Sequence, residues 1–242
     1  MRHKKLLITL SVILVLFVVC AIVFAIYVGT YYRADMGAVA AFNYEGFIRR
    51  EIDEGTVAYV PEGDFDTGII FYPGGRVEHL AYIPLMQALA SRGILCILVD
   101  MPFNLAVFDI DRADGVYEGF VMVDHWYMAG HSLGGAMACE YVVDHLDCFE
   151  GVILLGSYSS ADLSETKLRA LSIYGSADTV LDKESYFENR GNLPKDTEEY
   201  IIPGGNHAYF GVYGEQSGDG TATITNKEQI EETAEKILEF IK

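Results

Sequence analysis

The sequence is poor in cysteine and lacks the spacings that hold metal ions. It has four cysteines in 242 residues and neither a C-x-x-C nor an H-E-x-x-H pattern, so we predict no metal site and no cofactor. Cys139 and Cys148 fall near the two ends of one predicted helix. Nine helical residues would hold them about 13 Å apart, whereas a disulfide needs Cα atoms within about 7 Å. Free thiols are therefore expected.

Basic residues are also scarce, with 17 Lys and Arg against 35 Asp and Glu. Three of the basic residues, Arg2, Lys4 and Lys5, stand at the N-terminus, which leaves the rest of the chain at about −21. Such a charge disfavours nucleic acid and anionic lipid headgroups as partners. It does not indicate a substrate, and a solvated acidic surface is the simpler interpretation.

Charge is absent altogether from residues 6–28, "LLITLSVILVLFVVCAIVFAIYV". As a helix this run would measure about 34 Å, enough to cross a hydrocarbon core of about 30 Å. A cleaved signal peptide is the alternative, but its apolar core is usually only about 7–15 residues and ends at a small-residue site that is not evident here. A lipoprotein signal at Cys20 is disfavoured because Val18 and Val19 precede it.

The flanking charges predict the orientation of this span. The basic residues precede it, and after it only Arg33 lies close. The positive-inside rule then puts the N-terminus in the cytoplasm and the body of the protein outside the membrane, or secreted if the span is cleaved. We predict a cytoplasmic N-terminus (1–5), a transmembrane anchor (6–28), a juxtamembrane segment (29–54) and a folded domain (55–242).

The folded domain alternates strand-like and helix-like segments. The runs "TVAYV", "TGIIFY", "ILCILVD", "HWYMAG", "GVILLG", "LRALSIYG" and "EEYIIPGG" are typical of strands. Amphipathic or small-residue segments separate several of them, and the chain ends in "NKEQIEETAEKILEFIK", with Thr225 and Glu228 spaced as a capping box. This order predicts an α/β fold with a mostly parallel sheet, helices on both faces and no large lid.

The segment "WYMAGHSLGGAMA" fits the pattern of a nucleophile at a sharp turn. Gly130-His131-Ser132-Leu133-Gly134 matches G-x-S-x-G between a predicted strand and a predicted helix. The glycines permit close packing of helix on strand, and the Leu133 N–H would face a bound acyl oxygen at the helix N-terminus. We predict that Ser132 is a nucleophile; the alternative is a plain strand-to-helix turn.

A serine nucleophile needs a base and an orienting acid, in the chain order Ser, acid, His. His207, in the glycine-rich loop "IIPGGNHAYFG" after the last strand, is the predicted base, since His145 belongs to the helix after the turn. Asp178, just after the strand "LSIYG", is the predicted acid. Asp162 is the secondary candidate, and Asp182 is more naturally a helix cap.

The loop "PGGRVEHLAY" follows an early strand and is the predicted source of a second oxyanion donor, from the N–H of Gly75 or Arg76. Further residues are candidates for the substrate pocket: Gly74, Glu78, Tyr82, Asn104 and Phe210. The segment "HAYFGVYGEQSGDG" places Tyr209, Tyr213, Gln216 and Asp219 after the base. These residues either line the pocket or brace the His207 loop.

Taken together, "FYPGGRVEHLAY", "MPFNLAVF", "GHSLGGAMA", "IYGSADTVL" and "GGNHAYFGVYGEQSGDG" resemble the α/β-hydrolase superfamily, in the compact branch similar to dienelactone hydrolases. The resemblance extends from about residue 55 to the C-terminus. It implies a Ser132–Asp178–His207 triad and acyl-ester chemistry. Dienelactone hydrolases proper use a cysteine nucleophile, and this chain has a serine, so the resemblance does not extend to dienelactone as substrate.

The sequence therefore predicts a membrane-anchored, extracytoplasmic serine hydrolase that acts on a small-molecule acyl substrate, by default a carboxylic ester. Thioesters, lactones and small peptides stay open, as does acyl transfer in place of hydrolysis. A catalytically idle hydrolase fold that serves as a binding protein is the alternative from another class.

Overall fold

The computed structural model describes residues 2–242, with side chains from Lys4 onward, and Met1 of the predicted 1–5 segment lies outside the described residues. The chain divides into two compact units, Met1–Tyr31 and Tyr32–Lys242. The first unit is helix α1, Arg2–Gly29. Its segment Lys4–Gly29 contains an 18-residue stretch with a mean hydropathy of 3.3 and is long and apolar enough to cross a membrane, a length and composition that also suit a signal helix.

The second unit is built on one eight-stranded sheet, in the order β1-β2-β4-β3-β5-β6-β7-β8. The first two strands run antiparallel to their neighbours, and the pairs from β4 through β8 are parallel. The predicted mostly parallel sheet is confirmed. The strands are β1 Phe47–Asp53, β2 Thr56–Pro61, β3 Thr67–Tyr72, β4 Leu95–Leu98, β5 His125–His131, β6 Gly151–Leu155, β7 Arg169–Gly175 and β8 Asp196–Ile202.

Helices cover both faces of the sheet, as predicted. They are α2 Met36–Val39, α3 Ile83–Ala90, α4 Leu133–Val143, α5 Lys183–Glu188 and α6 Asn226–Ile241. Short 3₁₀ turns occupy His79–Tyr82, Pro102–Asn104, Ala106–Phe108, Ile110–Ala113, Leu146–Cys148, Asn189–Asn192 and Ala208–Phe210. The connection from β4 to β5, residues 99–124, therefore holds 3₁₀ turns instead of the regular helix that usually joins parallel strands.

Alternating residues of the central strands divide the core into two layers. Ile69 and Phe71 of β3 pack in one cluster with residues of α3 and α6, whereas Ile70 and Tyr72 pack in the other with residues of α4 and of the 99–124 connection. This is the period of two expected of a strand buried on both faces. Because strands β3 to β8 run parallel, their carboxyl ends share one edge of the sheet. The predicted site residues follow β3, β4, β5, β7 and β8 at this edge.

The predicted domain boundary at residue 55 is too late. The segment 29–54, predicted to be juxtamembrane, contributes α2 and β1, and β1 pairs with β2 along Phe47–Asp53. Charged side chains fill β1, "FIRREID", and most of its residues are exposed because it is an edge strand with one partner. It therefore lacks the alternation of apolar and polar residues by which strands are recognised in a sequence.

Two helix predictions also change. The amphipathic segment "VEHLAYIPLMQALASRG", residues 77–93, has the spacing of one helix, but it begins as a 3₁₀ turn and is α-helical only over Ile83–Ala90. The helix after the sharp turn at Ser132 ends at Val143, so Cys148 lies in the 3₁₀ turn beyond it and does not share a helix with Cys139. At α6 the predicted capping box is confirmed, with Thr225 and Glu228 exchanging hydrogen bonds.

Candidate active site

Ser132 lies on a sharp turn between the end of β5 and the start of α4, here called the elbow. Its φ of 51° and ψ of −123° are strained for a residue with a side chain, at a cost of about 1–3 kcal/mol. A Cβ on Gly130 would collide with the backbone of Gly134, and one on Gly134 would collide with the carbonyl oxygens of Tyr72 and Pro73. The two glycines of the motif are therefore required by close packing of α4 against β3 and β5.

The predicted base and acid are bonded to each other. His207 Nδ1 lies 2.8 Å from Asp178 Oδ2, and both side chains are fully buried. The other carboxylate oxygen, Asp178 Oδ1, accepts from the backbone N–H groups of Val180 at 3.0 Å and Leu181 at 2.8 Å. These bonds hold the carboxylate in place, and because a carboxylate only accepts hydrogen bonds, it favours the His207 tautomer with a proton on Nδ1. Within the described residues, the buried Nε2 of His207 has no hydrogen-bond partner.

Neighbouring residues bring Ser132 to the same place as this pair. The ring of His131, the residue before Ser132, lies 4.4 Å from the ring of His207. Gly156, which follows β6 and has a φ of 52°, lines a cavity together with Ser132. A Cβ on Gly156 would lie 2.9 Å from His207 Nδ1 and 3.2 Å from Asp178 Oδ2. The structure thus gathers the three predicted triad residues at the carboxyl edge of the sheet.

The alternative candidates for base and acid lie in other surroundings. His145 stacks on the ring of Tyr141 at 4.0 Å and bonds its carbonyl oxygen through Nδ1. Asp162 is exposed and accepts hydrogen bonds from Ser164. Asp182 caps α5 by accepting from two backbone N–H groups, as its position in the sequence predicts.

Two backbone N–H groups beside the elbow, those of Gly75 and Leu133, are the candidate oxyanion donors. A Cβ on Gly75 would lie 2.9 Å from Cδ2 of Leu133, so the loop of residues 73–78, here called the oxyanion loop, lies against the first residue of α4. In the described chain neither the Gly75 N–H nor the Leu133 N–H makes a hydrogen bond. The Arg76 N–H donates to the Asn104 carbonyl at 2.7 Å, so Arg76 as the alternative donor is wrong.

A buried chain of hydrogen bonds connects the oxyanion loop to the elbow. The Gly74 N–H donates to the Tyr82 hydroxyl at 3.1 Å, and that hydroxyl lies 2.7 Å from His131 Nδ1. A neutral imidazole of His131 can accept the hydroxyl proton at Nδ1 and then carries its own proton on Nε2. Burial, followed by the neighbouring His207, lowers the pKa of His131 well below its ordinary value of 6.5.

The residues predicted to line the pocket are hydrogen-bonded to, or packed among, the segments that surround the site. Glu78 Oε2 accepts from the Ala34 N–H at 2.9 Å, and the Asn104 carbonyl holds Arg76. Tyr82 and Phe210 are fully buried, with the Phe210 ring 5.5 Å from that of His131. A Cβ on Gly74 would lie 2.7 Å from His131 Nδ1. None of these five residues is among the walls of the cavity beside Ser132, so a role for them in binding substrate stays a prediction.

The cavity beside Ser132 lies on the side of β6 and β7. Its volume is about 260 Å³, and its walls come from the residues after those strands and from α4: Leu133, Ala136, Gly156, Ser157, Tyr158, Val180, Leu181 and Asp182. Ser157 also holds the elbow, since its hydroxyl donates to the Ser132 carbonyl at 2.6 Å. Sequence reasoning missed these walls. The available signal was that they follow strands next to β5 on the same edge of the sheet.

The segment after His207 braces the base and acid loops. Asp219 Oδ2 accepts from the Ala208 N–H at 2.8 Å, and Asp219 Oδ1 lies 3.4 Å from the Thr179 N–H. The Thr179 hydroxyl donates to the Gly218 carbonyl at 2.8 Å. Gln216 is bonded to the Tyr213 hydroxyl within the same segment. Of the two interpretations left open by the sequence, these bonds favour bracing.

Backbone strain is concentrated around the site. Among the residues described, four other than glycine have a positive φ: Arg76 at 60°, Phe103 at 58°, Asn104 at 55° and Ser132 at 51°. They belong to the oxyanion loop, to the turn bonded to it and to the elbow. Such conformations persist only where the surrounding structure enforces them, and they cluster at functional sites.

Comparison with known proteins agrees with this geometry. The family model described as the alpha/beta hydrolase family matches residues 68–231, which is more than half of the chain. The protein therefore belongs to the α/β-hydrolase family, and the resemblance drawn from its motifs is confirmed. No curated protein sequence matches the chain.

Solved structures share the fold at low sequence identity. A dienelactone hydrolase from Anabaena variabilis has a TM-score of 0.58 at 15% identity, over 81% of this chain and 99% of its own. Est1E from Butyrivibrio proteoclasticus has a TM-score of 0.57 at 16% identity, over 81% and 99%. A CIB-like hydrolase from Thermoplasma acidophilum has a TM-score of 0.54 at 14% identity, over 79% and 97%. At these identities the three likenesses show that the chain shares the α/β-hydrolase fold of these proteins.

Proposed function

We propose that the protein is a membrane-anchored serine hydrolase that cleaves a carboxylic ester through an acyl-enzyme on Ser132. The observation that carries the proposal is the buried His207–Asp178 pair, with His207 Nε2 unpartnered beside the strained elbow. A buried imidazole with one nitrogen held by a carboxylate and the other unpartnered is arranged to accept a proton from a hydroxyl.

The reaction begins when Ser132 Oγ attacks the acyl carbonyl carbon and gives its proton to His207 Nε2. Asp178 holds the imidazole and stabilises its charged form, and the N–H groups of Gly75 and Leu133 bind the oxygen that becomes negative. Breaking of the C–O bond expels the alcohol, which takes the proton from Nε2. Water then adds to the acyl-enzyme, again through His207, and releases the acid and free Ser132.

The cavity beside Ser132 favours a compact acyl group. Its volume of about 260 Å³ is below the range of roughly 300–1,000 Å³ that is usual for sites of drug-sized ligands. Leu133, Ala136, Val180 and Leu181 give it apolar walls, and the carboxylate of Asp182 is also in its lining. An uncharged short acyl chain suits these walls, because a carboxylate on the substrate would meet the charge of Asp182.

The function is tested by following p-nitrophenyl ester hydrolysis across acyl lengths. We expect short esters to be cleaved fastest, and we expect Ser132→Ala and His207→Ala each to lower kcat/KM by at least about 10³-fold. The matched control is Ser160→Ala, which removes an exposed hydroxyl bonded to Glu140 and should leave the rate unchanged. A folded parent without activity would favour an idle binding protein. Faster product formation with an added alcohol would indicate acyl transfer.

The proposed location follows from α1 and its flanking charges. With the basic residues before the span, the N-terminus is cytoplasmic and the hydrolase unit is extracytoplasmic. Protease added to intact cells should degrade the hydrolase unit and leave the span in the membrane. Degradation only after permeabilisation would contradict this orientation. Recovery of the unit in the medium, without the span, would show a cleaved signal helix.

A further inference from the structure

We propose that the turn of residues 102–108, here called the apolar turn, contacts the bilayer surface, and that the substrate is an acyl ester embedded in that membrane. This inference deepens the proposed function and rests on it. Three observations carry it: exposed apolar side chains on this turn, a hydrogen bond between the turn and the oxyanion loop, and hydrogen bonds between that loop and Tyr32, three residues after the end of α1.

The apolar turn exposes three large apolar side chains beside the site. Phe103, Val107 and Phe108 are each about half exposed, and the two phenylalanine rings are 5.6 Å apart. Leu105, in the same turn, is buried against Gly75 of the oxyanion loop. The turn therefore directs part of its apolar surface to solvent and part to the site. Adjacent exposed apolar residues at a site are typical of a contact surface.

The strain of this turn indicates that its conformation is enforced. Phe103 and Asn104 are consecutive residues with a positive φ, of 58° and 55°, a conformation that side-chain-bearing residues keep only where the surrounding structure enforces it. The bond that holds them runs from the Arg76 N–H to the Asn104 carbonyl, at 2.7 Å. Phe103 is therefore attached, through the carbonyl of the next residue, to the oxyanion loop that contains Gly75.

The oxyanion loop is also bonded to the first residue of the hydrolase unit. The Tyr32 N–H donates to the Arg76 carbonyl at 2.7 Å, and the Glu78 N–H donates to the Tyr32 carbonyl at 2.9 Å. A short bridge pairs Tyr32 with Val77. Glu78 extends the attachment by binding the Ala34 N–H.

The covalent chain limits how far this attachment can be from the span. Helix α1 ends at Gly29, so only Thr30 and Tyr31 precede Tyr32. At 3.8 Å between consecutive Cα atoms, Tyr32 lies within about 11 Å of Gly29 whatever the arrangement of the two units. If α1 spans a membrane, the oxyanion loop and the apolar turn are kept close to its surface. A substrate embedded there needs no diffusion through water.

The contact depends on apolar area rather than on charge. The hydrolase unit carries 35 acidic residues, and Asp109 directly follows the apolar turn. This unit would be repelled by anionic headgroups, so a zwitterionic surface is the expected occupant. Within the bilayer, an ester whose alcohol carries a long alkyl chain would present its carbonyl at headgroup depth, with a compact acyl group free to enter the cavity beside Ser132.

The contact itself is tested without reference to activity. The full chain is reconstituted in phosphatidylcholine vesicles with the photoreactive residue p-benzoylphenylalanine in place of Val107, or in place of Val121 as the matched control. Val121 is 89% exposed and precedes β5, whereas Ser132 follows that strand at its other end. Mass spectrometry should find a phosphatidylcholine adduct at position 107 and none at position 121. Absence of the adduct at 107, or cross-linking there to a second protein chain, would overturn the contact.

The substrate class is tested in the same vesicles with two esters of one acid. Hexadecyl acetate partitions into the bilayer, and p-nitrophenyl acetate stays in water. Val107→Asp should lower the ratio of the first rate to the second at least tenfold, and Val121→Asp should leave both rates unchanged. An unchanged ratio in Val107→Asp, or no cleavage of hexadecyl acetate by a parent that cleaves p-nitrophenyl acetate, would overturn the membrane substrate. A parent that cleaves neither ester overturns the proposed function and the membrane substrate with it, while the adduct still decides the contact.

Discussion

The hydroxyl of Tyr82 joins two parts of the site that come from distant segments of the chain. It accepts from the Gly74 N–H and is hydrogen-bonded to His131 Nδ1, and all three groups are buried. In Tyr82→Phe the Gly74 N–H and His131 Nδ1 lose this partner, and the oxyanion loop loses its link to the elbow. A buried bond of this kind contributes about 1–2 kcal/mol, so we expect kcat to fall roughly five- to thirtyfold with KM nearly unchanged.

Steady-state kinetics on p-nitrophenyl acetate would measure this effect. The matched control is Tyr44→Phe, which removes a hydroxyl bonded to Glu231 of α6. It should lower stability without changing kcat. Equal losses of kcat in the two variants would mean that Tyr82 has no positioning role beyond folding.

His131 should make the folded state sensitive to acid. Its pKa is lowered by burial, so below pH 6.5 the unfolded imidazole gains a proton that the folded one does not bind. The unfolded state then binds more protons, and the free energy of unfolding decreases as the pH falls below that value. We expect the Tm of the parent to fall between about pH 6.5 and pH 5 more steeply than that of His131→Asn. Parallel Tm curves would contradict the neutral, buried imidazole.

For single residues, the sequence predicts which positions belong to the site better than it predicts the hydrogen-bond partners of those residues. Ser132, Asp178 and His207 were identified because a strained turn, a strand end and a glycine-rich loop leave local signals in the chain. The Arg76 N–H was a wrong donor because its partner, the Asn104 carbonyl, is in another segment. Tyr82 was recognised as a site residue but not as a hydrogen-bonding one, since its contact with His131 arises only when β3 and β5 pair.

At the scale of elements, the segment between His207 and α6 connects the loop of the base to the loop of the acid through hydrogen bonds. Asp219 accepts from the residues that follow the base and the acid, Ala208 and Thr179. In Asp219→Ala both loops lose this acceptor, and we expect kcat to fall about tenfold, as for a lost hydrogen bond to a charged group. Asp219→Asn keeps one oxygen acceptor and should recover part of the loss. Stopped-flow acylation rates that are equal in both variants and the parent would contradict the bracing role.

The element order was largely predictable, whereas the edge of the sheet was not. Strands β3 to β7 contain apolar runs with turn residues at their ends, because central parallel strands are buried on both faces. Strand β8, "DTEEYII", lies at the opposite edge from β1 and has several exposed residues, but its apolar end was recognised in the run "EEYIIPGG". Strand β1 was missed because an exposed antiparallel edge accepts charged residues.

For the whole molecule, the division into two units predicts that the hydrolase unit folds without the span. A chain shortened to residues 30–242 retains both core layers and Tyr32. We expect it to be soluble and to cleave p-nitrophenyl acetate as the full chain does. A shorter chain, 33–242, lacks the Tyr32 hydrogen bonds to Arg76, Glu78 and Ser217. Its Tm and kcat should both be lower, and equal values for the two chains would show that Tyr32 does not support the oxyanion loop.

The central claim is that Ser132 is a nucleophile activated by His207 and Asp178. The measurement that tests it most directly is reaction of the 30–242 chain with a fluorophosphonate, followed by mass spectrometry of the labelled peptide. We predict one adduct, on Ser132, that is absent in Ser132→Ala, retained in Ser160→Ala and formed at least a hundredfold more slowly in His207→Ala. A folded protein that stays unlabelled, or that is labelled on another serine, would contradict the account.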